Sequence, residues 1–168
     1  RVIGMEIDSR IRERAEAVSR ALLAANRRVA VVESCTGGWV AEALTSIAGS
    51  SVWFDCALVT YSNSSKNELA GVPLSLIESV GAVSEEVALA MAEGGLQASG
   101  ADIVASLTGI AGPEGGSREK PVGCVCFAWA GREGLRETRL EHFAGDRRAV
   151  RGQAVCLSLD GILSALGR

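Results

Sequence analysis

Apolar residues recur along the chain at spacings that predict alternating helices and strands. The first helix is expected to run from about Asp8 or Ser9, either of which can cap it, to Ala25. Its apolar residues keep helical spacing: Ile11, Ala15, Val18, Leu22 and Ala25. Further helical patterns cover Gly38–Ala48, a short turn at Leu74–Val80, Ser84–Gln97 with Ser84 as its cap, and Arg147–Leu166.

Compact apolar runs between these helices predict strands. They cover Val29–Val32, Val52–Thr60, Asp102–Thr108, Gly123–Ala130 and Leu135–Phe143. The last two runs are joined by only four residues, which forces an antiparallel hairpin. Helices between the earlier strands imply parallel crossovers. The order α-β-α-β-α-β-β-α therefore predicts an α/β fold with three layers (α/β/α) and a mixed, mostly parallel sheet of about five strands, ending in that hairpin.

Composition and charge narrow the class of protein. The chain has 168 residues, 48% of them apolar, which suits a single domain over residues 1–168. Net charge is -3, so the chain lacks the basic surplus that would predict binding to nucleic acid. No apolar run reaches the ~18 residues of a membrane span, and the N-terminus lacks a signal-peptide pattern. Five cysteines within mostly apolar runs predict buried thiols in a reduced, cytoplasmic protein.

Three loops at the carboxyl ends of predicted strands are rich in hydroxyl groups or glycine. They are Glu33–Gly38, Thr60–Lys66 and Thr108–Pro113. Ligands of α/β sheets bind at this edge, and glycine lets backbone N–H groups approach an anion. Each loop by itself is compatible with ordinary turn chemistry, whereas three at one edge favour a ligand site.

Ser34 is the best-placed candidate nucleophile, because it lies between a buried strand and a helix. The N–H groups of Cys35, Thr36, Gly37 or Gly38 could hold an oxyanion there. The alternative is that Ser34 or Thr36 only caps the helix. No Gly-x-Ser-x-Gly elbow is present, and no lysine lies three residues after Ser34.

A serine nucleophile needs a base, and two residues are candidates. A Ser-His-Asp triad would depend on His142, the only histidine. Lys66 follows the second strand, so it can approach Ser34 from the neighbouring loop, and burial could lower its pKa into the range of a general base. The alternative is a solvated lysine at the start of a short helix.

The start of the last helix, Gly145–Arg148, offers a cap followed by two arginines, which is a suitable clamp for a phosphate group. The alternative is a capped surface helix with solvated arginines. With one histidine and no second cysteine pair beside Cys124 and Cys126, no metal site is expected.

Six motifs in order over residues 33–154 resemble the CinA carboxy-terminal domain family. They are Val32–Gly38, Val59–Asn63 with Lys66, Gly81–Ser84, Thr108–Pro113, Glu119–Gly123 and Gly145–Arg147. The catalytic members of this family are nicotinamide mononucleotide deamidases, which act in pyridine nucleotide recycling. The resemblance implies a three-layer α/β/α fold and a serine–lysine mechanism without metal or other cofactor.

The resemblance also implies roles for individual residues. It makes Ser34, Lys66 and Tyr61 catalytic. For substrate binding it leads us to expect Thr36, Gly37, Gly38, Ser50, Ser51, Thr108, Gly109, Gly112 and Arg147. The chain departs from many relatives at Ser64 and Ser65, where they carry bulkier or acidic residues. We expect a small nucleotide as substrate, no membrane partner, and a homo-oligomer with a dimer favoured.

Three other functions remain open at this point. The chain could be a Ser-Lys hydrolase of another amide or ester, or a nucleotide-binding or regulatory module without turnover. Chemistry at Cys35, beside Ser34 at a helix N-terminus, is the third, although Cys35 is expected to point into the core.

Overall fold

A computed structural model describes residues 2–167, with side chains from residue 6 onwards. Six α-helices lie within these residues: α1 (Val2–Ala25), α2 (Trp39–Thr45), α3 (Asn63–Ala70), α4 (Leu74–Val80), α5 (Glu85–Ala98) and α6 (Arg147–Leu166). Five strands form one sheet: β1 (Val29–Glu33), β2 (Phe54–Val59), β3 (Ile103–Gly109), β4 (Cys124–Gly131) and β5 (Arg136–His142).

The strand order β2-β1-β3-β4-β5 explains the mixed sheet. Strand β1 pairs in parallel with both β2 and β3, whereas β4 is antiparallel to both β3 and β5. Four of the five strands therefore point in one direction, and only β4 opposes them. The predicted α/β/α fold with a mixed, mostly parallel sheet and a late hairpin is confirmed.

Two apolar clusters cover the two faces of the sheet. One joins α1, α2 and α6 to the sheet through residues such as Leu22, Leu44 and Leu159. The other joins the α3–α5 side through Ala70, Ile77 and Met91. The central strands β1, β3 and β4 supply both clusters, which is why they read as continuous apolar runs rather than as alternating ones.

Helix α6 has the length and mean hydropathy, 1.2, of a membrane span, and it is the one helix of residues 2–167 that does. Half of that segment is buried inside the protein. It packs against α1 and the sheet, so its place in the core accounts for its apolar composition.

The predicted start of the first helix is wrong. The helix begins at Val2, so Asp8 and Ser9 lie inside it and cap nothing. Asp8 instead accepts hydrogen bonds from Arg148 on α6 at 2.9 Å. Two smaller differences follow. Strand β2 begins at Phe54, after a 3-10 turn over Ser50–Val52. Helix α3 is a complete helix that is absent from the predicted order of elements.

Candidate active site

Ser34 and Lys66 meet at the carboxyl edge of the parallel strands. Ser34 follows β1, and its N–H donates to the Leu107 carbonyl on β3. Lys66 lies on α3, which begins after β2 and is capped by Ser62 in a reciprocal pair with Ser65. The Lys66 Nζ is 3.0 Å from the Ser34 Oγ and 2.7 Å from the Thr60 carbonyl. The two loops therefore converge as the sequence predicted.

Lys66 is buried without a carboxylate partner. Its side chain is 1% exposed, and no ion pair of Lys66 exists among the described side chains. Burial lowers the pKa of Lys66 from its ordinary value of 10.5, with a smaller opposing effect of Cys35. A lysine held this way gives up its proton more readily than a solvated one, as a general base requires.

A cavity of about 270 Å³ opens above this pair. Its lining includes the predicted residues Ser34, Tyr61, Lys66, Thr108, Gly109, Gly112 and Arg147, together with Asn63 and Glu114. Asn63, the first residue of α3, and Glu114, in the loop after β3, were missed because a single polar side chain gives no local signal of the cavity that it lines.

Arg147 and Tyr61 lie together at the cavity. Arg147 donates to the Gly112 carbonyl at 2.7 Å and to the Tyr61 hydroxyl at 3.0 Å. Tyr61 is 60% exposed, and its hydroxyl contacts this arginine. The guanidinium thus joins the loop after β3 to the loop after β2, at the N-terminus of α6.

Thr108 and the two loop glycines shape one wall. Thr108 is buried and donates its hydroxyl to the Ala82 carbonyl at 2.9 Å. A Cβ on Gly109 would lie 2.9 Å from the Cys124 carbonyl oxygen, and one on Gly112, whose φ is +80°, would lie 2.5 Å from a Val122 methyl. Both positions therefore require glycine for the close approach of the β4 side.

Thr36, Gly37 and Gly38 do not line the cavity, contrary to expectation. The Gly38 N–H donates to the Glu33 carboxylate at 3.1 Å and the Gly37 N–H to the Ser34 carbonyl at 3.0 Å. Thr36 is fully buried, and its hydroxyl donates to Glu33 at 2.6 Å. The amides of Gly37 and Gly38 are already used, so these glycines cannot be the expected oxyanion donors.

Ser50 and Ser51 lie at the opposite end of the strands, away from the cavity. They precede β2, whereas Ser34 and Thr60 follow β1 and β2. The six residues of β2 separate the two edges by roughly 20 Å at ~3.3 Å per residue. The structure therefore does not bring the paired serines to the cavity of the same chain.

The other candidate groups lie away from the cavity or are buried in the core. His142 is an exposed residue of β5 and does not line the cavity. Cys35 belongs to the core, and burial raises its pKa to about 12, which disfavours thiolate chemistry. No group of three or more His, Cys, Asp or Glu side chains suited to a metal ion occurs within residues 6–167.

Comparison with known proteins gives consistent matches. The model of the CinA C-terminal domain family matches residues 11–166. The nicotinamide-nucleotide amidohydrolase PncC of Enterobacter agglomerans is 52% identical over 93% of this chain and 95% of its own length. Its namesake from Escherichia coli K12 is 51% identical over 90% and 92%. The crystal structure of the competence/damage inducible protein CihA from Agrobacterium tumefaciens superposes with a TM-score of 0.91, at 40% identity over 95% and 96% of the two chains.

Proposed function

The chain belongs to the CinA C-terminal domain family, and on that premise we propose that it hydrolyses the carboxamide of nicotinamide mononucleotide to nicotinate mononucleotide and ammonia. The observation that carries the proposal is the contact of a buried lysine with a serine, 3.0 Å apart, in a cavity that an arginine also lines. The names of relatives about 50% identical over most of their length supply the substrate.

The reaction begins with Ser34 and Lys66. A neutral Lys66 donates one N–H to the Thr60 carbonyl and accepts the proton of Ser34 with its lone pair. Ser34 Oγ attacks the carboxamide carbon, and the carbonyl oxygen becomes an oxyanion. When the C–N bond breaks, Lys66 returns the proton to the leaving nitrogen, so ammonia departs and an acyl-serine remains.

Water completes the cycle. Lys66, neutral again, takes a proton from a water molecule that attacks the acyl carbon, and it then protonates the departing Ser34 oxygen. The product carboxyl group loses its proton to solvent. Each step needs one base and no redox partner.

The remaining site residues bind the nucleotide. We assign the phosphate to Arg147, whose guanidinium adds a fixed charge to the positive end of α6, with Tyr61 holding that guanidinium. The Gly109–Gly112 loop and Thr108 form the wall beside it. The reaction would serve pyridine nucleotide recycling, in the cytoplasm where these nucleotides are held.

The proposal is tested by measuring ammonia released from nicotinamide mononucleotide. We expect Ser34→Ala and Lys66→Met each to lose nearly all turnover. The double variant should be scarcely slower than either single variant, because the two residues act as one unit.

Matched controls separate the dyad from general damage. His142→Ala removes the other candidate base and should keep turnover within about a factor of two, against the ~100-fold expected for loss of a general base. Turnover in Ser34→Ala close to that of the unmodified protein would refute the acyl-serine. No ammonia from this substrate, but release from other carboxamides, would keep the dyad and reject the nucleotide.

A further inference from the structure

The loop that carries Ser34 is held from one side by Glu33. The Glu33 side chain is fully buried, and both of its oxygens accept hydrogen bonds. Oε2 accepts from the Thr36 hydroxyl and the N–H groups of Gly38 and Val40, and Oε1 accepts from the Ala41 N–H at 2.8 Å. Four donors of the described residues face this side chain, and its two oxygens accept from all of them. Glu33 therefore takes up the first amides of α2.

Arg151 holds the same loop from α6. Its Nε donates to the Cys35 carbonyl at 3.1 Å and its terminal nitrogen to the Thr36 carbonyl at 2.7 Å. The guanidinium also lies over the Trp39 ring, 5.5 Å from its centre. Two bonds from one planar group fix the orientation of two successive peptide planes.

These bonds leave only two amides of the loop without a partner on another of the described residues. The N–H groups of Ser34, Gly37, Gly38 and Trp39 donate to Leu107, Ser34, Glu33 and Thr36, respectively. The N–H groups of Cys35 and Thr36 remain. Of these two residues only Cys35 lines the cavity, and its N–H follows the nucleophile directly, the position from which an oxyanion is commonly bound.

We infer that Glu33 and Arg151 are positioning residues, which hold the Ser34 loop so that the Cys35 amide stays free to bind the oxyanion. This inference rests on the proposed function for its chemistry. Neither Glu33 nor Arg151 lines the cavity. Their effect is on the placement of Ser34 Oγ against Lys66 and of the Cys35 N–H against the developing charge.

The test uses Arg151→Met, with Arg148→Met as its matched control. Arg148 lies on the same helix and over the same Trp39 ring, at 5.1 Å, but pairs with Asp8 and not with the loop. We expect Arg151→Met to lower kcat for nicotinamide mononucleotide by ~10- to 100-fold, as for a small displacement of reacting groups. KM should change by less than about threefold, because the contacts that bind the substrate before the reaction are unchanged. Arg148 was a candidate for the phosphate clamp, but unlike Arg147 it does not line the cavity. Arg148→Met should therefore leave both constants unchanged.

A second measurement does not depend on the nucleotide. A fluorophosphonate phosphonylates an activated serine with loss of fluoride. The phosphoryl (P=O) oxygen of the product occupies the position of the oxyanion. The rate of Ser34 labelling should fall in Arg151→Met by the same factor as kcat. Added methylguanidinium should restore part of both rates in Arg151→Ala and none of the rate of any Ser34→Ala variant. A role limited to stability would lower the melting temperature and leave these rates intact well below it.

Glu33→Gln supplies the other half of the test. Its NH2 group replaces one of the two accepting oxygens and so faces at least one donor that Glu33 accepts from. We therefore expect a loss of kcat and of labelling in this variant too. Glu42→Gln, on the exposed side of the same helix, is its control. If Glu33→Gln does not fold, the Arg151 variants alone decide.

The outcomes are distinguishable. Arg151→Met with unchanged kcat and labelling overturns the inference, and so does a change in KM alone. Wild-type labelling at Ser34 without turnover of the nucleotide would reject the proposed substrate, while the dependence of labelling on Arg151 would still support the inference.

Discussion

At the scale of single residues, the burial of Lys66 is the feature on which the proposed chemistry depends. The amine faces a carbonyl and a hydroxyl, which stabilise it without neutralising an ammonium charge. Sequence could place Lys66 after a strand near Ser34, because topology alone brings those loops together. It could not give the Glu33 and Arg151 contacts with the Ser34 loop, since these depend on how α2 and α6 pack.

The lowered pKa of Lys66 predicts two linked pH effects. The kcat/KM should rise with pH through the pKa of Lys66, below 10.5, because only the neutral amine accepts a proton. Between the folded and unfolded pKa values the unfolded chain binds more protons, so the free energy of unfolding rises with pH in that window.

The effect on stability is measured against Lys66→Met. The difference in unfolding free energy between wild type and Lys66→Met should move in favour of the wild type as pH rises towards 10.5. Denaturant titrations of both proteins over that range give the difference. A constant difference would mean that the pKa of Lys66 is not lowered by burial.

Arg147 provides a prediction on substrate recognition. Arg147→Ala should raise KM for the nucleotide far more than for nicotinamide riboside, which lacks the phosphate. Steady-state kinetics with the two substrates measure the ratio. Equal losses with both would assign Arg147 to holding Tyr61 and Gly112 rather than to the phosphate.

At the scale of helices and strands, sequence patterns succeed where the signal is local. Helix α6 has its predicted bounds because Asp146 caps it and accepts from the Ala149 N–H at 2.9 Å. Ser84 likewise accepts from the Val87 N–H. Helix α3 was missed because its cap joins Ser62 to Ser65, where the usual partner is Glu or Gln. Asp8 pairs with Arg148, which is 140 residues away, and no local pattern encodes that contact.

The α6 cap predicts a measurable loss of stability. Asp146→Ala should lower the free energy of unfolding by about 1 kcal/mol, as read from denaturant titration. Asp146→Asn keeps an accepting oxygen and should lose much less. Equal losses in the two variants would show that the charge, rather than the accepting oxygen, stabilises the helix.

At the scale of the whole molecule, glycines set how closely α6 packs on the sheet and how closely α5 packs on α3. A Cβ on Gly161 of α6 would lie 1.9 Å from the Trp129 ring on β4, and one on Gly94 of α5 would lie 1.7 Å from the Ala70 carbonyl oxygen on α3. Neither contact can be predicted from a single sequence, in which a glycine within a helix indicates only a lower helix propensity. The expected homo-oligomer stays a prediction, which sedimentation measures directly.

The two glycines allow a paired test of packing distance. Gly94→Ala and Gly161→Ala should each destabilise the fold by ~1–3 kcal/mol, as overpacking does, despite the better helix propensity of alanine. Gly94→Ala should also lower kcat in the folded protein, because it displaces the helix that carries Lys66. Gly161→Ala should affect kcat much less at temperatures where the protein is folded, because Gly161 lies ten residues beyond Arg151 on α6, about 15 Å along the helix. A normal kcat in Gly94→Ala would mean that α3 does not move with the substitution.

The position of Ser34 and Lys66 on different layers has a consequence for how turnover responds to loosening of the protein. Ser34 is braced by α6 on one face of the sheet, and Lys66 is carried by α3 on the other. The 3.0 Å distance between Lys66 Nζ and Ser34 Oγ therefore depends on how the two helix layers are placed relative to each other across the sheet. Mild pressure or a few molar of a weakly denaturing cosolvent should allow the two layers to shift by a fraction of an ångström. Turnover should then be lost reversibly, while the helical content is still complete.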